Sequence, residues 1–160
     1  MQIIFLNQWL TILICFILWG AIQYSVGKLI MIVPDKYLSP YSVLFKTQKW
    51  EDDGKIYNRI FKVKKWKHLL PDGAAAMKGG YKKKHLTDFS KNNLEIFLIE
   101  SCRAELSHFI AILPFWVFGF FVPPIVILYM LIYALAVNIP CILVQRYNRP
   151  RIIKLIEKMK

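Results

Sequence analysis

The feature that most constrains this chain is a stretch of 36 residues, from Phe109 to Val144, whose only ionisable side chains are Cys and Tyr. One straight helical crossing of a bilayer needs about 20 apolar residues. The stretch is therefore too long for one crossing and just long enough for two. Pro123 and Pro124 lie near its middle, where two prolines interrupt a helix. We expect a helical hairpin with arms at about 108–122 and 125–144.

A second uncharged stretch, residues 3–26, is long enough for another crossing. A signal peptide would show a basic segment before the apolar run and a small-x-small cleavage site after it. This stretch has no basic residue before it and ends in Tyr24-Ser-Val-Gly-Lys28. We therefore expect a retained membrane anchor.

The distribution of Lys and Arg predicts how the chain is oriented across the membrane. Of the 22 such residues, 14 lie between Asp35 and Glu100, six lie from Arg146 onward, and none precedes Lys28. The positive-inside rule places the N-terminus outside and both basic segments in the cytoplasm of a multi-pass protein of the cell membrane. Three crossings satisfy this parity, and so does a re-entrant hairpin around Pro123.

These patterns predict a mainly α fold: a small polytopic integral membrane protein with about three transmembrane helices and a basic cytoplasmic segment between them. We expect one membrane-embedded unit, 1–160. Its parts are a first transmembrane helix (3–26), a cytoplasmic or interfacial segment (35–104), a transmembrane hairpin (105–144) and a basic cytoplasmic tail (145–160).

The net charge of +12 raises the question of nucleic acid. Attraction to anionic membrane lipids explains it better, since basic residues beside membrane crossings favour such headgroups. Residues 55–68 interleave basic and apolar side chains, which predicts an interfacial segment. Two interpretations of this segment are left open: that it binds phosphate, and that it is a solvated basic face.

A long helix is expected from about Asn93 through Ile112, because Asn92 and the acid three residues later have the form of an N-terminal cap. Glu105 and His108 lie at i, i+3 on one face of this helix. Arg103 falls on another side, where an ion pair with Glu100 is expected.

Glu105 can fix the tautomer of the His108 imidazole and leave its other nitrogen free to deprotonate a hydroxyl. Glu-x-x-His is also half of a di-iron motif, but the chain lacks the second half. The remaining interpretation is that Glu105 and His108 form a purely structural pair where the helix meets the membrane.

Two further polar groups are candidates. His68 and Asp72 are spaced much like the His-x4-Asp element of glycerolipid acyltransferases, in which the His is a general base. The block Gln145-Arg-Tyr-Asn-Arg-Pro-Arg151 offers paired donors suited to a diphosphate or a sugar-bearing headgroup. A positive-inside stop signal also explains its charge.

Several segments together resemble the glycosyl-4,4'-diaponeurosporenoate acyltransferase family, small integral membrane enzymes of staphyloxanthin biosynthesis. The resemblance is carried in order by residues 33–37, 65–73, 103–108, 112–114, 138–140 and 144–151. It implies transfer of a fatty acyl group from an acyl thioester to a sugar hydroxyl of a glycosylated carotenoid or similar glycolipid. The implied partners are acyl-CoA or acyl carrier protein as donor and a lipid-like glycoside as acceptor, with no cofactor and no metal.

The site residues lie at positions that match the family, and their roles are our inference. The expected catalytic residues are His108, Glu105, His68 and Asp72. The expected substrate-binding residues are Arg103, His85, Asn138, Arg146, Asn148, Arg149 and Arg151. We expect His108 to be the base, held by Glu105, with His68 and Asp72 as the rival pair. Donors from the 146–151 block or Asn138 would meet the oxyanion, and basic residues of the 55–67 segment would hold the carrier's phosphates.

Two other classes of function remain open at this point. One is a membrane scaffold or lipid-binding subunit without enzymatic activity. The other is a metal-dependent lipid oxidase that uses His68, His85, His108 and Glu105.

Overall fold

The computed structural model describes residues 2–70 and 88–159, and every regular element in these ranges is helical. The α-helices are α1 (Gln8–Met31), α2 (Lys55–Phe61), α3 (Val63–Trp66), α4 (Lys91–Ile112) and α5 (Pro124–Glu157). Short 3-10 helices cover Asp35–Tyr37, Lys49–Gly54, Lys67–Leu69 and Leu113–Phe120. The described part of the chain is therefore mainly α, as the sequence predicts, and contains no strand.

The chain forms two compact units. The first consists of Met1–Ile32 and Leu106–Pro140, and the second of Val33–Glu105 and Cys141–Lys160. Both α4 and α5 contribute residues to each unit.

Helix α1 lies five residues later than the predicted crossing at 3–26, because Asn7 determines where it begins. The Oδ1 of Asn7 accepts a hydrogen bond from the backbone N–H of Leu10 at 2.8 Å, which caps the first turn. Residues 2–6 belong to no regular element, and the N–H groups of Ile3 and Ile4 donate to the carbonyl of Phe120. The helix then continues to Met31.

The predicted first arm of the hairpin, 108–122, is wrong as a continuous α-helix. Helix α4 ends at Ile112, and a 3-10 helix with Pro114 near its start follows from Leu113 to Phe120. Proline has no backbone N–H for the i−4 carbonyl and its ring clashes with that carbonyl, which favours a break at Pro114, although α5 continues through Pro140 and Pro150. The break predicted at the two prolines is present, since α5 begins at Pro124.

Helix α5 extends well beyond the predicted second arm. Its 34 residues include both the apolar segment and most of the predicted basic tail. Within the described residues, α1 and α5 are the two helices long and apolar enough, by length and composition, to cross a membrane. At 1.5 Å per residue, α5 is about 50 Å long, which exceeds one bilayer core.

Helix α4 begins at Lys91, two residues earlier than the predicted start at Asn93. The hydroxyl of Ser90 accepts a hydrogen bond from the N–H of Asn93 at 3.4 Å, and Ser90 itself is held by Asp88. Ser90 therefore caps this helix, and Asn92 lies inside its first turn. The predicted end at Ile112 is confirmed.

The first unit is built around Trp19 of α1, which is buried. Its ring lies 4.8 Å from that of Phe118 and 5.4 Å from that of Tyr133, measured between centroids. Its indole N–H points at the sulfur of Met130, 3.3 Å away. These aromatic contacts hold α1 against the 3-10 segment and α5.

The second unit contains two apolar clusters. Leu94 and Leu98 of α4 pack with Ile156 of α5, whereas Tyr57 and Val63 pack with Tyr147. The chain before α2 approaches α5 closely at Gly54, which has a φ of +77°. A Cβ there would lie 3.1 Å from the carbonyl oxygens of Arg146 and Tyr147.

We predict that Gly54→Ala lowers the free energy of unfolding by about 1–3 kcal/mol, because alanine is strained at a positive φ and its methyl group would press on two backbone carbonyls. Thermal unfolding in detergent micelles measures the effect. Gly20→Ala is the matched control, since nothing lies within 4 Å of the added Cβ and residue 20 is inside a helix. Equal unfolding temperatures for the two variants would contradict this account of the contact.

Candidate active site

Glu105 of α4 is the centre of a buried network of charges. Its side chain is only 1% exposed. One carboxylate oxygen accepts a hydrogen bond from Nε of Arg146 at 2.6 Å, and the other accepts from a terminal nitrogen of Arg149. Both arginines belong to α5, so this carboxylate joins the two helices within the second unit.

A second buried carboxylate completes the network. Oε1 of Glu51 accepts from Arg146 at 3.0 Å and from the hydroxyl of Tyr57. Its Oε2 accepts from the backbone N–H of Gln48 at 2.5 Å, as part of a capping box. Two carboxylates therefore face two guanidinium groups, which leaves the network without net charge and makes its burial tolerable.

Both terminal nitrogens of Arg149 contact protein groups, whereas its buried Nε has no hydrogen-bond partner in the part of the chain that the structure describes. Arg149 donates to the carbonyl of Phe45 at 2.8 Å and to that of Ser101 at 3.3 Å, and it lies over the ring of Phe45. Arg146 also donates to the carbonyl of Leu44, at 2.8 Å. The sequence predicted that both arginines bind substrate, whereas in the structure they connect residues 44–57 to α4 and α5.

His108 and Asn138 form a second constellation, in the first unit. Nδ1 of His108 lies 2.9 Å from Oδ1 of Asn138, and the Nδ2 of Asn138 donates to the carbonyl of Ala134 at 2.9 Å. The opposite amide orientation would set two oxygens against each other, so Oδ1 faces the imidazole. Since Oδ1 only accepts, Nδ1 carries the proton, and in the neutral ring Nε2 is the basic nitrogen.

The structure thus gives His108 a partner that the sequence did not predict. The sequence predicted a pair of Glu105 with His108; the structure shows in addition that Oδ1 of Asn138 accepts a hydrogen bond from Nδ1 of His108 and that the carboxylate of Glu105 accepts hydrogen bonds from two guanidinium groups. The physical reason is that two permanent cations bind a buried carboxylate more strongly than a neutral imidazole does. The function predicted for His108 needs an acceptor at Nδ1, and Asn138 supplies it.

Arg103 forms the predicted ion pair with Glu100, at 2.9 Å. Its guanidinium also donates to the carbonyl of Val33 at 2.8 Å and to the carboxylate of Asp35. These contacts fix the segment after α1 on α4, so the arginine expected to bind substrate holds protein groups in this structure.

A group of basic residues surrounds Tyr147 in the second unit. Nζ of Lys67 lies 3.0 Å from Oδ1 of Asn148 and 5.1 Å from the centroid of the Tyr147 ring. The guanidinium carbon of Arg151 lies 3.6 Å from the same centroid. Burial, and then the positive charges of Arg151 and Lys64, lower the pKa of Lys67.

The rival pair, His68 with Asp72, is only partly described. His68 is exposed in the 3-10 turn Lys67–Leu69, whereas Asp72, His85 and the loop predicted around residues 72–80 lie outside the described residues. In residues 2–70 and 88–159, no group of three or more His, Cys, Asp or Glu side chains is placed to hold a metal ion.

The sequence did not point to Glu51 or Tyr57 as site residues, and it predicted Asn138 as a substrate-binding residue and a possible donor to the oxyanion. One usable signal was the amide itself, since Asn138 is the only Asn or Gln in the uncharged stretch 109–144. A polar group in such a stretch requires a partner. For Glu51 the signal was weaker: it belongs to an acidic triplet in an otherwise basic segment.

Comparisons with known proteins agree on one family. The sequence profile of the family described as glycosyl-4,4'-diaponeurosporenoate acyltransferase matches residues 41–158. Enzymes of that name from Staphylococcus aureus strains MRSA252 and USA300 are 38% and 37% identical over 151 residues, which cover 94% of this chain and 90% of theirs. The enzyme from strain bovine RF122 / ET3-1 is 37% identical over the same length. No solved structure matches the chain significantly.

We predict that Glu105→Gln lowers the free energy of unfolding by about 3–5 kcal/mol, because Arg146 and Arg149 would keep buried charges with no countercharge on α4. The matched control is Glu95→Gln on the same helix, since Glu95 is exposed and pairs with Lys91 at 3.9 Å. The control should change stability by less than about 0.5 kcal/mol. Denaturation in mixed micelles measures both, and similar losses would refute the network's role.

Tyr57→Phe tests the other end of the network. We expect a loss of about 1–3 kcal/mol, because the buried carboxylate of Glu51 would lose a donor. Tyr41→Phe is the control, since Tyr41 is 65% exposed. Burial, and then the hydrogen bond to Glu51 and its negative charge, raise the pKa of Tyr57 above the usual value of 10.0.

Because the pKa of Tyr57 is raised, the effect of Tyr57→Phe on the free energy of unfolding should depend on pH. The contribution of Tyr57 is complete below about pH 10 and falls above it, because the unfolded chain releases the phenolic proton before the folded protein does. The difference in stability between the wild type and Tyr57→Phe should therefore narrow above pH 10 in thermal unfolding experiments. A difference that widens there would show that the hydroxyl acts in some other way.

Proposed function

The chain belongs to the glycosyl-4,4'-diaponeurosporenoate acyltransferase family, and we propose that it transfers a fatty acyl group from an acyl thioester to a sugar hydroxyl of a glycosylated carotenoid or similar glycolipid. The observation that carries the proposal at the level of residues is the contact between His108 and Asn138. It supplies the oriented, neutral base that the activation of a hydroxyl requires.

The proposed reaction is direct transfer. Nε2 of His108 removes the proton of the sugar hydroxyl as the oxygen attacks the thioester carbonyl. The carbon–sulfur bond then breaks, the ester is released, and the proton passes from the imidazolium to the departing thiolate. No external oxidant, reductant or metal is needed for this balance, and the thioester is the only co-substrate.

Asn138 is a positioning residue in this proposal. Its amide fixes the tautomer and the plane of the ring, in the way that the Asn of Cys-His-Asn proteases does. Because Asn138 is fully buried and tied to Ala134, the imidazole needs little reorganisation before it reacts. Glu105 stabilises the fold around residues 44–57 instead of serving the imidazole.

We propose that the reaction occurs at a membrane. The most apolar windows of α1 and α5 are only 22% and 17% buried within the protein, which suits helices that face lipid and does not suit the core of a soluble domain. Following the positive-inside rule, we place the N-terminus outside, and residues 35–104 and the basic end of α5 in the cytoplasm near anionic lipids. Residues 106–140 then return the chain to the cytoplasmic side, as a full or a re-entrant hairpin.

We predict that His108→Ala abolishes transfer of label from a radioactive long-chain acyl-CoA to a glycosylated carotenoid in proteoliposomes. His68→Ala is the matched control, because His68 is the rival base and is exposed. The control should retain most of its activity. Full activity of His108→Ala, or loss of activity only in His68→Ala, would overturn the assignment of the base.

Asn138 variants test the orienting contact in the same assay. Asn138→Leu should reduce kcat by about a hundredfold or more, in the range that a general base contributes. Asn138→Asp keeps an acceptor for Nδ1 and should restore part of the rate. Its carboxylate should also move the acidic limb of the pH–rate profile to higher pH, because it stabilises the imidazolium. If the two variants lost the same amount of kcat and the pH–rate profile of Asn138→Asp did not shift, Asn138 would have only a structural role.

A further inference from the structure

The basic block at the end of α5 divides into two parts with different electrostatic surroundings. Arg146 and Arg149 face the carboxylates of Glu51 and Glu105. Arg151 instead lies on the ring of Tyr147, with Lys67 near the same ring. The two parts therefore cannot be assigned one common role.

The second part has no negative partner in the described chain. Across residues 2–70 and 88–159, ion pairs engage Lys55, Arg59, Lys91 and Lys154 at the surface, but none engages Lys64, Lys67 or Arg151. The polar contact of Lys67 is with a neutral amide, that of Asn148. Like charges held together without a counterion create a local positive potential that favours an anion.

The geometry of these groups is suited to an oxyanion. The guanidinium of Arg151 is exposed and is held in one plane, since Nη1 donates to the carbonyl of Tyr147 and the Tyr147 ring lies beneath it. The Lys67 ammonium is half-buried near the same ring and adds a point charge with up to three donors. A planar fork next to an ammonium is a common arrangement for binding phosphate.

We propose that Lys67, Asn148 and Arg151 form a subsite for a phosphate group of the acyl-thioester donor. This inference rests on the proposed function, and it narrows the donor to a carrier that bears phosphate, such as coenzyme A. The subsite holds the carrier and takes no part in the chemical step. Its loss should therefore raise KM and leave kcat unchanged.

Two donors with the same acyl chain test the subsite, one on coenzyme A and one on phosphate-free N-acetylcysteamine. Lys67→Gln and Arg151→Gln should each raise KM for the acyl-CoA about tenfold or more, which corresponds to one charge-assisted hydrogen bond. Neither variant should change KM for the phosphate-free thioester. Lys36→Gln is the matched control, since Lys36 also lies over a tyrosine ring, that of Tyr37, at 4.9 Å.

The outcomes separate this proposal from the function on which it rests. If the wild type uses both donors and the variants keep their KM for acyl-CoA, the subsite is wrong and the acyltransferase activity stands. If the wild type uses neither donor, the proposed function fails. Binding of desulfo-coenzyme A to the protein in phosphatidylcholine nanodiscs then tests the subsite alone, and equal affinity in wild type and Lys67→Gln would refute it.

A lipid headgroup is the other source of a phosphate at this position. Retention of spin-labelled phosphatidylglycerol by the purified protein should be the same in the wild type, Lys67→Gln and Arg151→Gln. If the variants release this lipid while KM for acyl-CoA stays unchanged, the bound phosphate belongs to the membrane, and the donor assignment is overturned.

Discussion

The second unit depends on one carboxylate, that of Glu105, held between the guanidinium groups of Arg146 and Arg149. Buried charges are tolerated only in such matched sets, because each ion loses its hydration. Glu51 supplies the second negative charge, so residues 44–57, α4 and α5 have to meet in a single register. The same neutralisation leaves Arg151 as the arginine of this block that faces solvent beside Lys67.

The activity proposed here uses a different kind of polar contact. His108 and Asn138 contact each other in a largely apolar unit, where the amide orients the imidazole without adding charge. A carboxylate in that position would need its own countercharge away from water. An Asn therefore suits a base close to lipid better than the Glu that the sequence suggested.

The sequence predicted well whatever depends on composition and local spacing. The apolar stretches gave α1 and α5, the end of α4 at Ile112 was found, and the ion pair of Arg103 with Glu100 follows from an i, i+3 relation. Predictions from local sequence were wrong where two neighbouring residues, or two sequence patterns, favoured different structures. Ser90 caps α4 in place of Asn92, and Pro114 converts a predicted α-helical arm into a 3-10 segment.

The site was harder to predict because its contacts connect distant parts of the chain. Arg146 meets Glu105 across 41 positions and Glu51 across 95. Periodicity and motif spacing carry no information about such pairs, and they favour a partner at i, i+3 on the same helix, which for Glu105 is His108. The family resemblance placed these residues in one group, and the structure shows which of them contact one another.

The order of these residues along the chain also has a consequence for biogenesis. Glu51 and Glu105 are synthesised before Arg146 and Arg149. The uncharged stretch 109–144, most of which belongs to the first unit, lies between the glutamates and the arginines. Until α5 is synthesised through Arg149, the carboxylates of Glu51 and Glu105 lack the two guanidinium groups that pair with them in the folded protein. They therefore have to stay hydrated. The network of the second unit should therefore form late, after α5 has been synthesised through Arg149, so this unit does not assemble in order from the N-terminus.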